Sequence, residues 1–286
     1  MSTNMTKAQR RDAARAEALA LQKKQQAREK RSRLIVLSLL ALAVIGLGIT
    51  IWLIVAEGQK TPMEKVDNIP AGVVEQTGIP VGAEGTAGTE NEGAPVLDVY
   101  VDYMCPVCGQ FEALNGASIT EMREAGDVTL VVHPISILDR QSQGTEYSTR
   151  AAAAAAWVAD QAPEQFNAFH EALFESQPEE GGPGLSDEQL GQVAEGAGVP
   201  ADVAAGIASG DAMDTYEEWV GAATKVAGDD PAVQNPETGG LGTPTVLIDG
   251  ERFAGWQTVG ALTEAITGEA PASGDSSDEP STEPSE

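Results

Sequence analysis

The chain of 286 residues holds two cysteines, Cys105 and Cys108, in the run Asp102-Tyr103-Met104-Cys105-Pro106-Val107-Cys108. Two thiols with two residues between them suit three kinds of chemistry: thiol–disulfide exchange, half of a zinc site, or an inert bridge. Zinc needs about four ligands, and the chain's two histidines, His133 and His170, follow at gaps of 24 and 36 residues, unlike a zinc finger. No metal site is expected. An inert disulfide across so short a loop adds little, because its entropic benefit grows with loop length. Exchange is the reading that uses the pair, and its nucleophile is a thiolate.

The elements around the pair supply that thiolate. Val96, Val99, Tyr100 and Val101 form a β-branched and aromatic run that predicts a strand ending near Asp102, and Phe111, Leu114, Ile119 and Met122 predict a helix from Pro106. Proline suits the first helical position, where its missing N–H costs nothing. Cys105 then lies at a helix N-terminus, where unpaired N–H groups and the macrodipole favour negative charge, so it is the attacking sulfur. Cys108, about one turn further on, is the resolving sulfur.

A buried strand is expected over 128–133 and helix over 145–176, with Ala151 to Ala156 as a small-residue face. Further helices begin at Ser186, where Ser186-Asp-Glu-Gln189 fits a capping box, and continue with breaks to about Val226. A hairpin at 246–249 and 252–254 turns at Asp249-Gly250, and a final helix runs from about Thr258 to Thr267. The order is β-α-β, a helical block, then β-β-α, an α/β domain over 94–268. Residues 57–93, rich in Gly, Pro, Thr and Glu, predict a flexible linker, and 269–286 an acidic disordered tail.

Upstream, Leu34 to Ala56 is 23 residues without a charge. At ~1.5 Å per residue that is about 34 Å, enough for a hydrocarbon core of about 30 Å. It is too long, and too far from the start, for the apolar core of a cleaved signal peptide. An uncleaved transmembrane anchor in a lipid bilayer is expected. Residues 1–33 carry ten Lys/Arg against three acids, whereas only Lys60 and Lys65 follow closely on the other side. The positive-inside rule puts this basic segment in the cytoplasm and the rest outside the cell membrane, where cysteines are readily oxidised. The net charge of −27 therefore divides into +7 for residues 1–33 and −34 for the remainder. So acidic an exterior repels nucleic acid, and no nucleic-acid partner is expected.

With Gly242-Thr243-Pro244-Thr245 before the last hairpin, and helical text such as Phe166-Asn-Ala-Phe-His-Glu-Ala-Leu-Phe174, the chain resembles the thioredoxin fold. Over 94–268 it is more closely similar to the DsbA-like thiol-disulfide oxidoreductases, which carry a helical insertion. The resemblance implies a thioredoxin-like fold with that insertion, behind a single transmembrane helix. It implies that Pro244 is cis and faces the dithiol, and that the backbone of Thr243 pairs with an extended client segment. Clients would be unfolded or reduced secreted proteins, reoxidation would come from a quinone-linked membrane oxidase, and no bound cofactor is implied.

Two departures from the family pattern matter. The dipeptide between the cysteines is Pro-Val, without the histidine of strongly oxidising relatives, which implies a moderate potential. Val99 stands where thioredoxins bury a carboxylate, leaving Asp102 as the candidate proton relay, although a solvated strand end is its simpler reading. His133 and His170 read as structural residues, and Tyr103 and Met104 as possible walls of a client groove. The leading expectation is an extracytoplasmic enzyme that introduces disulfides. A reductase or isomerase running the same chemistry in reverse, and a tethered thioredoxin-like binding module, remain alternatives.

Overall fold

The computed structural model describes residues 7–58 and 61–268. The chain divides into two units between Lys60 and Thr61. The first is one helix, α1 (Lys7–Gly58), whose apolar side chains from Leu34 to Trp52 are exposed. Within it lies a stretch long and apolar enough to cross a membrane.

The second unit is built on a five-stranded sheet. It begins at β1 (Ile79–Val81) and β2 (Val96–Val101), followed by the helix α2 (Pro106–Ala125) and β3 (Thr129–Pro134). A helical block comes next: α3 (Tyr147–Gln161), α4 (Phe166–Glu175), α5 (Asp187–Gly196), α6 (Ala201–Ala208) and α7 (Asp211–Asp229). β4 (Thr245–Ile248), β5 (Glu251–Arg252) and α8 (Ala261–Thr267) complete it. The strand order is β1-β3-β2-β4-β5, with β2 and β3 parallel and the other neighbours antiparallel.

Alternation along β2 divides the core. Leu97, Val99 and Val101 point into the main core with Phe111, Ile119 and Met122 of α2, while Tyr100 joins a smaller cluster with Ile135, Ala227, Val233 and Leu247. In α3 all of Ala151 to Ala156 are buried, small side chains that let neighbouring helices approach closely. The expected helix over 145–176 is broken at Ala162, because Pro163 starts a new turn. At α5, Ser186 and Gln189 form the capping box reciprocally. The last hairpin turns through Asp249 and Gly250, both at positive φ. Its second strand is shorter than expected, and the final helix begins three residues late, at Ala261.

The largest departure concerns the expected linker. Of the expected linker over 57–93, residues 57–58 end α1, positions 59–60 lie outside the described residues, and 61–93 are part of the folded unit. Ile79 pairs with Val132 and Val81 with Leu130, and both side chains are buried. Arg123 Nη1 donates to the carbonyls of Gly82 and Ala83, and Trp219 Nε1 donates to that of Gln76. A strand of three residues shows no period, so its partners rather than its own text hold it. The expected acidic tail, 269–286, lies outside the described residues.

Candidate functional site

β2 runs directly into the dithiol. Its last residue is Val101, and Cys105 N donates to the carbonyl of Asp102 to close a turn. Pro106 opens α2, and Cys105 is its N-cap with extended backbone (φ −73°, ψ 116°). The sulfur therefore sits at the positive end of a 20-residue helix. Both cysteines are free thiols. Cys108 is wholly buried, while Cys105 keeps 7% of its surface and is flanked by exposed Pro106 and Val107.

The two thiols are driven apart in acidity. A hydrogen bond from the Cys108 side chain, above all else, holds the Cys105 thiol down at about 6; burial opposes it, and Thr243 and the N–H groups of Cys108 and Val107 add to the lowering. Burial first, then the neighbouring Cys105, pushes the Cys108 thiol well above the ordinary range. One sulfur is thus a reachable thiolate near neutral pH, and the other a buried, protonated thiol.

From across the molecule comes the loop before β4. The Thr243–Pro244 peptide is cis, and the Thr243 carbonyl lies 3.4 Å from Cys105 Sγ. Thr243 Oγ1 is buried beside the two sulfurs, where its hydroxyl favours their thiolate forms. Thr245 Oγ1 donates to the Gly242 carbonyl, and Arg252 reaches Thr245 Oγ1 at 3.2 Å, so β4 and β5 fix the loop.

Asp102 is no solvated strand end. It is fully buried, and its carboxylate accepts from the backbone N–H groups of Met104 (2.9 Å), Ile137 (2.8 Å) and Leu138 (3.0 Å). Burial nevertheless raises its pKa, with those hydrogen bonds opposing. It ties the turn carrying Cys105 to the segment after β3. Tyr103 and Met104 are likewise fully buried and offer no wall to a surface groove. Tyr103 instead turns inward, its hydroxyl 2.9 Å from His170 Nδ1 among Phe166 and Phe174.

His133 is held elsewhere. Its Nε2 is 2.9 Å from Asp98 Oδ1, its Nδ1 3.4 Å from Thr77 Oγ1, and its ring stacks on Tyr100. Among the described residues no group of His, Cys, Asp or Glu could hold a metal ion.

One participant escaped the sequence reading. Gln177 Nε2, just beyond α4, donates to the carbonyls of Tyr103 (3.1 Å) and Cys105 (2.9 Å). No local pattern marks a glutamine 72 residues from the cysteine it contacts.

Comparison with known proteins accords with this geometry. The family model described as "Thioredoxin" matches residues 85–267. The solved structure of MdbA, a thiol-disulfide oxidoreductase from Actinomyces oris, is 29% identical with a TM-score of 0.56, covering 74% of this chain and 97% of that one. Oxidised DsbA from Mycobacterium tuberculosis is 33% identical with a TM-score of 0.52, over 68% of this chain and 94% of its own. Among curated proteins, the serine/threonine-protein kinase PknE of Mycobacterium tuberculosis is 31% identical over 125 residues, 42% of this chain. The chain spans only 22% of that kinase's length. With the family model matched over most of the chain and a dithiol at the head of α2, this chain belongs to the thioredoxin family, among the DsbA-like thiol-disulfide oxidoreductases.

Proposed function

We propose that the chain is a membrane-anchored, extracytoplasmic enzyme that introduces disulfides into secreted or envelope proteins through Cys105 and Cys108. The observation that carries this reading is the placement of the pair: Cys105 caps α2 with its sulfur 3.4 Å from the Thr243 carbonyl and a share of surface, over a wholly buried Cys108, and the Cys105 thiol is lowered to about 6 while that of Cys108 is raised. A stabilised Cys105 thiolate favours the reduced dithiol and leaves readily from a mixed disulfide, which supports exchange with client thiols.

In the forward direction a client thiolate attacks Cys105 Sγ of the Cys105–Cys108 disulfide. The S–S bond breaks, Cys108 leaves and takes up a proton, and a mixed disulfide joins the client to Cys105. A second client thiolate then attacks the client sulfur, and Cys105 leaves as the thiolate. The client loses two electrons and the enzyme gains them as a dithiol. Reoxidation requires an acceptor of two electrons, for which a quinone-linked membrane oxidase is the proposed partner. Thr243, beside the reacting sulfur, is the proposed contact for the client backbone, with Pro244 shaping that loop.

The exposed apolar helix supports an anchor in the bilayer, and its basic flank supports a cytoplasmic N-terminus. Equilibrating the full chain in detergent with glutathione buffers tests the direction. A potential near or above about −150 mV fits an oxidase, and one near or below about −250 mV identifies a reductase and overturns the proposal.

A further inference from the structure

The turn that presents Cys105 is gripped from two sides. From within, Asp102 accepts from Met104 N and Cys105 N closes on the Asp102 carbonyl. From outside, the Gln177 amide spans the carbonyls of Tyr103 and Cys105. The orientation of that amide is unambiguous, since two carbonyl oxygens can be satisfied only by its NH2 group. Gln177 lies just past α4 in the helical block, so this contact ties the block to the redox turn. Room for it exists because residue 109 is glycine: a Cβ at Gly109 would overlap Gln177 Oε1. Within a helix glycine is unfavourable compared with alanine, and at position 109 its missing Cβ leaves the space that the Gln177 amide fills.

We propose that Gln177 is a positioning residue that fixes the Tyr103–Cys105 turn, and with it the Cys105 sulfur at the head of α2, and that Gly109 is the gap that admits it. The Cys105 carbonyl already accepts from Cys108 N and Gly109 N. The Gln177 amide adds a third donor, the positive end of its dipole directed at the residue that must carry the thiolate. Without it the turn loses an anchor, and Sγ loses its alignment with Thr243, the Cys108 thiol and the N–H groups of Val107 and Cys108. The inference rests on thiol–disulfide exchange as the function, and its test needs no client protein.

The test is the rate of iodoacetamide alkylation of the reduced full chain in detergent as a function of pH, since Cys105 is the reachable sulfur of only two. Gln177→Ala and the shape-preserving Gln177→Met are expected to slow alkylation at pH 5.5 by about three- to tenfold and to shift the midpoint upward, with unchanged circular dichroism. Gln177→Glu, which cannot donate and adds negative charge, shifts it further. Gly109→Ala reproduces the effect when Gln177 is present and has none in the Gln177→Ala background. A wild-type profile in folded Gln177→Met, or a Gly109→Ala effect of equal size in both backgrounds, overturns the proposal. Failure to oxidise clients with these shifts intact would instead overturn the functional reading alone.

Discussion

The dithiol turn and the His133 cluster are both polar sites built against the central sheet, and they treat their polar atoms in opposite ways. Around His133 the groups close on one another: Asp98, Thr77 and the face of Tyr100 occupy both ring nitrogens and the ring itself. Around Cys105 the scaffold is closed and the reacting atom is left open. Asp102 and Gln177 satisfy the backbone of the turn, while Sγ takes hydrogen bonds that favour its thiolate and still keeps a share of surface. The difference teaches that a buried polar cluster is structural when its groups close wholly on one another, and reactive when they hold one atom in place with a face left open to a partner.

The largest effect should come from the open site. Cys105→Ser should abolish disulfide exchange, measured as the oxidation of a reduced model protein, while binding of that protein persists; residual exchange at the wild-type rate would erase the distinction between the two regions. Next comes the acidity of the open sulfur. The Cys105 alkylation rate should titrate with a midpoint near 6 and fall about tenfold per pH unit below it. The folded thiol's pKa lies below its unfolded value, so the thiolate's contribution to the stability of the reduced protein is present above about pH 8.5 and lost as pH falls through 6. The reduced form should therefore lose stability relative to the disulfide form on acidification, as denaturant titration of both would reveal.

Removing the inner brace is the third comparison. Asp102→Ala orphans three backbone donors and should cost about 3 kcal/mol in guanidinium unfolding. It should slow exchange as well, because the same carboxylate holds the turn. The closed cluster should give the smallest effect. His133→Gln loses the Asp98 contact and the Tyr100 stack, about 1–2 kcal/mol, and should leave the exchange rate unchanged. A drop in exchange there would show that the two regions are coupled through the sheet.

Much of the active turn was legible because its chemistry is local. Val96 to Val101 is a β-branched and aromatic run, Pro106 marks the first residue of a helix, and the two cysteines sit one turn apart, all within 13 residues. Ser186 with Gln189 and Asp249 with Gly250 were equally readable, since capping and tight turns act over three or four residues. The folding of 61–93 was not. Ile79-Pro80-Val81 has too few residues for a period, and its edge pairing exists only when β3 lies beside it. The burial of Asp102 was hidden in the same way: its donors Ile137 and Leu138 lie 35 and 36 residues away.

By itself the sequence determined the pair of sulfurs, their place at the head of a helix, and an apolar stretch long enough to cross a bilayer, because each depends on neighbours along the chain. Only the tertiary structure decided which atoms surround Cys105. Thr243 arrives from 138 residues away and Gln177 from 72. The acidity of a thiol is set by the dipoles and hydrogen bonds within a few ångströms of it, whatever their distance in sequence.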